Sequence, residues 1–120
     1  MSKDKRNTVV NHNYSLRKYN ENGYKTFNEF YPYYLGEHCN QTNRRLHLIG
    51  TTFAIALSSY ALLTGIYILI LISLVQGYLF AWVGHFCFEK NKPATFKHPF
   101  YSFMGDFRMW FEVVRGLRSF

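Results

Sequence analysis

The feature that most constrains this chain is a stretch without formal charge between residues 46 and 88. These 43 residues contain no Asp, Glu, Lys or Arg, although the 120-residue chain carries 14 Lys and Arg and 7 Asp and Glu. A bilayer-spanning helix needs roughly 20 mostly apolar residues, so the stretch is too long for one crossing and suits two. Gly65 favours a turn between them, because glycine relaxes the backbone. The sequence predicts a transmembrane helical hairpin with spans at about 46–62 and 66–88.

The alternative is a soluble helical bundle whose two core helices happen to lack charge. The mean hydropathy of the chain is only -0.17. Four polar residues lower the hydropathy of the stretch itself: Ser58, Ser59, Thr64 and Gln76. Residues 66–75 are apolar on every side except at Ser73, whereas a surface helix is apolar on one side only. The pattern favours the membrane hairpin, and its polar residues suit helix–helix contacts within one chain or in a homo-oligomer.

Amphipathic helices are predicted on both sides of the hairpin. Thr26 and Glu29 have the spacing of a capping box, and aromatic residues at helical spacing follow them, so a helix is expected at about 27–35. Pro99 suits the first turn of a last helix at about 99–118, where apolar residues again form one stripe. Both patterns are typical of helices that lie in a membrane interface.

Charge outside the hairpin predicts its orientation. Residues 1–24 are polar and predict a loosely ordered arm, whereas residues 25–120 predict one all-α, membrane-embedded domain. The basic residues lie towards both ends of the chain, and the hairpin turn carries none. Because basic segments stay on the cytoplasmic side and attract lipid headgroups, we expect both termini to be cytoplasmic. The net charge of +7 also suits nucleic acid, but no nucleic-acid-binding motif is present.

Four histidines are expected at one depth of the membrane. The hairpin brings His47, at the start of the first span, beside His85, near the end of the second. His38 and His98 lie in the connectors just outside the spans, whereas His12 lies in the arm. Ionisable groups at membrane depth indicate a functional site, and imidazole is the commonest metal ligand. The alternative is that interfacial histidines only bind headgroups and backbone.

Acidic and basic residues beside these histidines complete the candidate site. Glu89 follows His85 by one helical turn, so it is a candidate metal ligand or an acceptor that orients an imidazole. Asp106 is a second carboxylate for that role. Nitrogen and oxygen ligands without paired cysteines favour Fe(II), Zn or Mn over an iron–sulfur cluster. Arg44 and Arg45, at the start of the first span, suit either a fatty-acid carboxylate or lipid phosphate.

Several short runs carry a resemblance to a known family. They are Glu37-His38, Asn43-Arg44-Arg45-Leu46-His47, Gly50-Thr51, Trp82-Val83-Gly84-His85-Phe86, Glu89-Lys90, Pro93-Ala94, His98-Pro99 and Gly105-Asp106-Phe107-Arg108-Met109. Together they resemble the 2-hydroxy fatty acid dioxygenase-like family, in its short, bacterial-type branch, over about residues 27 to 112. The short form favours a bacterial inner membrane as the location, with the endoplasmic reticulum second. Any one run would be a weak signal, but the combination is specific.

The resemblance implies an Fe(II)-dependent membrane dioxygenase. Such an enzyme uses O2 to cleave a long-chain 2-hydroxy fatty acid to a fatty acid one carbon shorter, an α-oxidation. The histidines that the resemblance assigns to iron are His38, His47, His85 and His98. Glu89 joins them as a candidate catalytic residue, and the candidate substrate-binding residues are Asn43, Arg44 and Arg45. Two alternatives stay open, a non-catalytic small membrane scaffold and a membrane protein that binds another metal or haem.

Overall fold

The structure, a computed structural model, describes residues 18–120. His12 and most of the arm predicted at residues 1–24 therefore lie outside the described residues. Four α-helices follow in order: α1 (Phe27–Gly36), α2 (Gln41–Thr64), α3 (Ile68–Val83) and α4 (Pro99–Val114). A π-helical turn, Gly84–Glu89, continues α3, and a 3₁₀ turn, Ala94–Phe96, precedes α4. Residues 18–120 contain no strand, which confirms the all-α prediction.

The hairpin predicted from the uncharged stretch is formed by α2 and α3. Gly65 follows α2 in the left-handed conformation, with φ of 77°, at the predicted turn. α2 begins at Gln41, several residues before the predicted start, because the side chain of Asn40 accepts a hydrogen bond from the Asn43 N–H at 3.1 Å. An asparagine cap of this kind satisfies one of the free N–H groups at a helix start. The helix thus includes the residues that precede its apolar part.

The hairpin exposes most of its apolar surface. α2, and α3 with its π-helical turn, are long and apolar enough to cross a membrane. Only 28% of the apolar window of α2 and 22% of that of α3 are buried inside the protein. Leu62 and Leu63, near the tip, are 68% and 86% exposed. This burial differs from that of core helices in a soluble protein, which are covered on most sides.

α1 packs against α4 at the open end of the hairpin. Phe30 and Tyr34 of α1 are buried in one cluster with Met109 of α4. Gly105 permits the close approach, because a Cβ atom there would lie 2.9 Å from the Tyr34 ring. The apolar face of α1 is therefore buried by protein, instead of facing the membrane interface as predicted.

α4 presents its aromatic stripe outward. Its buried residues are Ser102, Gly105 and Met109, whereas Phe100 and Phe111 are 83% and 51% exposed. A water-soluble amphipathic helix has the opposite arrangement, with its apolar face covered. The exposed stripe agrees with the interfacial helix predicted here, although α4 ends at Val114 and not at about residue 118.

Candidate metal centre

Three of the four predicted histidines meet at the open end of the hairpin. His38 lies in the connector between α1 and α2, His47 in the second turn of α2, and His85 in the π-helical turn. Their ring centres are 4.3 to 4.7 Å apart, and one ring nitrogen of each lies within 4.8 Å of the others. All three side chains are buried. The prediction that His47 and His85 lie side by side, with His38 beside them, is confirmed.

Each imidazole is oriented by a hydrogen bond at Nδ1. The acceptors are the carbonyl oxygen of Tyr34 for His38 at 2.6 Å, that of Asn43 for His47 at 2.9 Å, and Oδ1 of Asn91 for His85 at 2.7 Å. Because these oxygens only accept, each Nδ1 carries the hydrogen and each Nε2 keeps a lone pair. Metal-ligating histidines show this arrangement, with the second ring nitrogen donating to an oxygen.

The Nε2 atom of His38 is buried and has no hydrogen-bond partner among the described residues. A buried polar atom left in this way costs free energy unless something else binds it. Burial, and then the neighbouring His47 and His85, hold the pKa of His38 well below its usual value. The imidazole is therefore neutral near pH 7 and its lone pair is available. A metal ion fits both the donor set and this unpartnered nitrogen.

The π-helical turn brings Asn91 back onto His85. Lys90 ends the turn with a positive φ of 62°, and the Asn91 N–H then donates to the His85 carbonyl oxygen at 3.1 Å. The side-chain NH2 of Asn91 donates to the Glu37 carbonyl oxygen at 3.3 Å, which leaves Oδ1 facing the imidazole. Sequence reasoning missed Asn91, because an asparagine six residues after a histidine is too weak a signal to assign.

We expect Asn91→Ala to weaken metal binding by about 10–100-fold, the usual cost of losing a partner that orients a ligating histidine. Without Oδ1, the His85 ring is free to turn and to exchange its tautomer. The dissociation constant is measured by competition with a chelator. Asn91→Asp, which keeps an acceptor at this position, should retain most of the affinity. Equal weakening in both variants would mean that the fold of the turn matters and the hydrogen bond does not.

Glu89 lies beside the three histidines and not among them. It is fully buried, and its carboxylate accepts a hydrogen bond from the Asn40 N–H at 2.7 Å. This bond joins the end of the π-helical turn to the start of α2, so Glu89 holds together the two segments that carry His85 and His47. Its role as a ligand remains a prediction.

The structure does not bring His98 to the other three histidines. Its Nε2 is 2.9 Å from the hydroxyl oxygen of Tyr19, and its ring centre is 5.2 Å from that of Phe30. The 3₁₀ turn after the hairpin carries the chain towards α1, and His98 follows it to the start of α4. Its distance along the sequence from the second span was therefore a poor guide to its position.

Arg44, Arg45 and Asn43 occupy three different positions. Arg44 is buried, and its Nη1 donates to the carbonyl oxygens of His38 and Cys39 at 3.0 and 3.1 Å. It thereby holds the connector that carries His38. Arg45 is exposed, and its guanidinium lies 4.9 Å from the centre of the Phe120 ring. Asn43 is buried and orients His47 through its carbonyl oxygen. Binding of the substrate by these three residues stays a prediction.

A tyrosine–aspartate pair lies next to the histidines. The hydroxyl of Tyr34 donates to the Asp106 carboxylate, and the Tyr34 ring centre is 4.1 Å from that of His38. Burial raises the pKa of Asp106 to about 7, against the lowering effect of the Tyr34 hydrogen bond. Both side chains and all three histidines line one small cavity of about 10 Å³. The pair can therefore hold a proton beside the candidate metal site.

Comparison with known protein families places this chain in one of them. A family model described as "2-hydroxy-palmitic acid dioxygenase Mpo1-like" matches residues 24–118. The matched region includes all four helices and the three clustered histidines. No curated protein and no solved structure matches the chain significantly. The family match covers most of the sequence, and the chain therefore belongs to the Mpo1-like family.

Proposed function

We propose that this protein is an Fe(II)-dependent membrane dioxygenase that cleaves long-chain 2-hydroxy fatty acids to fatty acids one carbon shorter. The observation that carries the proposal is the group of three buried histidines whose Nδ1 atoms all donate to oxygens. This arrangement leaves three imidazole lone pairs for one metal ion. The description of the family, 2-hydroxy-palmitic acid dioxygenase-like, supplies the substrate class and the reaction.

Iron suits this set of donors. Imidazoles without thiolates suit Fe(II) and also Zn. Zn has no redox chemistry, so a reaction with O2 favours iron. When bound, Fe(II) would supply the electron-transfer chemistry that O2 requires. His38, His47 and His85 would hold the ion, and three protein ligands would leave more of it open to the substrate and O2 than the four-histidine set predicted from the sequence.

The proposed reaction needs no co-reactant besides O2. A 2-hydroxy acid and O2 give the shorter fatty acid, carbon dioxide and water. The bond between the carboxyl carbon and the hydroxyl-bearing carbon breaks, the substrate loses four electrons, and O2 accepts them. A reductase, a flavin or a 2-oxo acid is therefore not required.

The protein's own residues would bind the substrate and move its proton. The three histidines hold the metal, while Asn91, Tyr34 and the backbone keep their rings in place. Asp106 lines the same cavity as the histidines. A carboxyl with a pKa of about 7 is well suited to accept the proton of the 2-hydroxyl group and return it. The hydrogen bond from Tyr34 fixes the carboxylate for this transfer.

The exposed apolar surface of the hairpin is explained if lipid, and not water, surrounds it. Large exposed apolar patches are rare on soluble monomers and mark protein or membrane interaction sites. The start of α2 and the end of the π-helical turn that continues α3 both lie on the side of the histidines. The basic residues close to these two helix ends in the sequence are Arg45, Lys90, Lys92 and Lys97. By the positive-inside rule, this side and both termini are cytoplasmic. A bacterial inner membrane is the favoured location and the endoplasmic reticulum the second.

Neither alternative explains the histidine group as well. A haem protein places axial ligands on opposite faces of a flat macrocycle, whereas these ring centres lie 4.3 to 4.7 Å apart. The rings leave no space for a porphyrin between them. A scaffold without chemistry gives no reason for three buried imidazoles whose lone pairs converge.

The decisive measurement is oxygen uptake by the full-length protein, purified in detergent and loaded anaerobically with Fe(II). We expect uptake to begin when 2-hydroxypalmitate is added, because only that substrate can give up both its carboxyl carbon and the electrons that O2 accepts. Palmitate, which lacks the 2-hydroxyl group, is the matched control and should give no uptake. The product should be a fatty acid one carbon shorter.

Two results would count against the proposal. Equal uptake with palmitate would indicate oxidation of iron in solution and not a reaction of the substrate. If the protein binds iron at the three histidines but consumes no O2 with the hydroxy acid, the assignment of the metal centre would stand and the assignment of dioxygenase activity would be wrong.

A further inference from the structure

A narrow slot runs from the histidines along the hairpin. α2 contributes His47, Gly50 and Ala54, α3 contributes Gly77 and Ala81, and α4 closes the third side with Phe103 and Phe107. The slot has a volume of about 40 Å³, whereas a single water needs about 10–15 Å³. It is partly open, and two apolar residues that line it, Leu74 of α3 and Phe103 of α4, are 37% and 41% exposed.

The slot joins the metal centre. His47 and Asp106 line both the slot and the small cavity that holds all three histidines. His38 lines that cavity, and its buried Nε2 has no hydrogen-bond partner among residues 18–120. A ligand in the slot would therefore place its polar end at the metal site and its apolar part between the helices.

Gly77 lies at the contact between α2 and α3, because a Cβ atom on Gly50 would lie 3.4 Å from the Gly77 Cα atom, but Gly77 leaves space on its own side. A Cβ atom on Gly50 would lie 3.0 Å from Cβ of Phe80, so the contact between the helices explains that glycine. A Cβ atom on Gly77 would meet nothing closer than the Gly50 carbonyl oxygen at 3.9 Å. Glycine inside a helix costs about 1 kcal/mol relative to alanine. A ligand that passes over Gly77 accounts for the space left there.

The ionisable residues of the slot lie at the end that joins the metal centre, where His47 and Asp106 line it. Ala54 and Leu74 lie further along the hairpin with Ser73. The Ser73 hydroxyl is already hydrogen-bonded, to Ser58 and to the Ile70 carbonyl oxygen. His47 to Ala54 is seven residues of helix, or about 10 Å, against about 30 Å for the hydrocarbon core of a bilayer. Only the part of an acyl chain nearest its head group fits inside, and the rest lies in lipid.

We propose that this slot binds the first part of the substrate's acyl chain, that the substrate enters it sideways from the bilayer, and that its head group then lies at His47 and Asp106. The proposal rests on the proposed function for the identity of the substrate. It adds to that function a binding site for the acyl chain, a direction of substrate entry and a prediction of which substrates the enzyme accepts. The slot discriminates against branching and bulk near the head group, and it tolerates differences in total chain length.

A second groove on the other side of α2 provides an internal comparison. It is larger, about 320 Å³, and its lining includes Phe53, Trp110 and Phe120. No histidine of the metal centre lines it. An ordinary membrane lipid suits it, whereas a substrate that has to reach the metal does not.

The test is photo-crosslinking of the full-length protein in lipid nanodiscs, without iron so that no turnover occurs. The probe is 2-hydroxypalmitate with a diazirine on a carbon near the carboxyl end, and mass spectrometry locates the labelled residues. We expect label on slot residues such as Ala54, Leu74 and Phe107. Gly77→Leu, which fills the slot, should reduce this labelling by about tenfold, the effect of a loss of about 1.4 kcal/mol in binding.

Matched variants separate the slot from the surrounding membrane surface. Leu79→Phe adds bulk to an exposed position of α3 outside the slot and should leave the labelling unchanged. Ala54→Phe blocks the slot from α2, so the test does not depend on the folding of Gly77→Leu. Label that stays on the slot in both blocking variants, or that falls on Phe53 and Trp110 in the wild type, would overturn the proposal.

The result is distinct from that of the oxygen-uptake experiment. Labelling of the slot without oxygen uptake would support the proposed binding site and contradict the proposed reaction. Oxygen uptake with labelling outside the slot would support the reaction and contradict the proposed binding site.

Discussion

His85→Ala is expected to leave the purified protein without bound iron and without dioxygenase activity. Three imidazoles supply every ligand in the group that the structure forms, and two of them do not hold Fe(II) against water. The loss of metal affinity should exceed the loss of about 10–100-fold that follows removal of a residue that orients a ligating histidine. His38→Ala and His47→Ala should behave alike. Iron per protein is measured after anaerobic loading and removal of free metal.

The matched control for this loss is His98→Ala. His98 is the one histidine of the four predicted ligands that lies outside the group, hydrogen-bonded to Tyr19. Its replacement should leave the iron content unchanged. Full iron content in His85→Ala, or loss of iron in His98→Ala, would refute the ligand set.

Thermal unfolding provides a second readout of the same site. A ligand that binds only the folded protein raises its stability in proportion to the logarithm of ligand concentration over the dissociation constant. A chelator should therefore lower the Tm of the wild type and of His98→Ala. The Tm of His85→Ala should not respond to the chelator, because no metal is bound.

The sequence could predict the pairing of His47 with His85 because a hairpin has a simple register. Once the turn is placed at Gly65, residues at similar distances on either side of it must lie at similar depth. His38 could be added because α2 begins only a few residues after it. Each of these steps depends on one local feature, the length of an uncharged stretch or the position of a turn.

The position of His98 and the role of Asn91 could not be predicted in that way. His98 is placed by the packing of α4 on α1, which depends on contacts between segments far apart in the sequence. Asn91 reaches His85 only because the helix widens into a π-helical turn and Lys90 adopts a positive φ. Neither the widened turn nor the positive φ of a lysine has a reliable sequence signal.

The two flanking helices show a further limit of sequence patterns. Both α1 and α4 carry an apolar stripe, and a stripe alone does not tell whether protein or lipid covers it. In α1 the stripe faces α4, because Gly105 allows the Tyr34 ring to approach the helix backbone. The stripe of α4 is exposed, because the other side of this helix, which carries Gly105 and Met109, packs against α1.

Gly84→Ala is expected to lower the free energy of unfolding by about 1–3 kcal/mol, the usual cost of overpacking, and to reduce iron binding with it. A Cβ atom at this position would lie 2.1 Å from Oδ1 and 3.2 Å from Cα of Asn43. Asn43 orients His47 through its carbonyl oxygen, and Gly84 precedes His85. Separation of the two helices at this contact would therefore move two of the three ligands apart.

Gly77→Ala is the matched control on the same helix. Its added methyl group meets nothing closer than 3.9 Å, so stability should stay equal or rise by up to about 1 kcal/mol through helix propensity. Iron content should also stay the same. Both variants are compared by unfolding in detergent and by metal analysis. If Gly84→Ala and Gly77→Ala have equal free energies of unfolding, α2 and the π-helical turn can move apart at Gly84 without a loss of stability.

The double variant Asn43→Ala with Gly84→Ala identifies the source of the expected loss. If the clash came only from the flexible amide, removing it would restore full stability. The structure also places the Asn43 backbone at 3.2 Å from the new methyl group, and a helix backbone cannot turn away as a side chain can. We therefore expect only partial recovery, with interaction between the two substitutions measured by the double-mutant cycle. Complete recovery would mean that the backbones of α2 and α3 have room to spare at the metal centre.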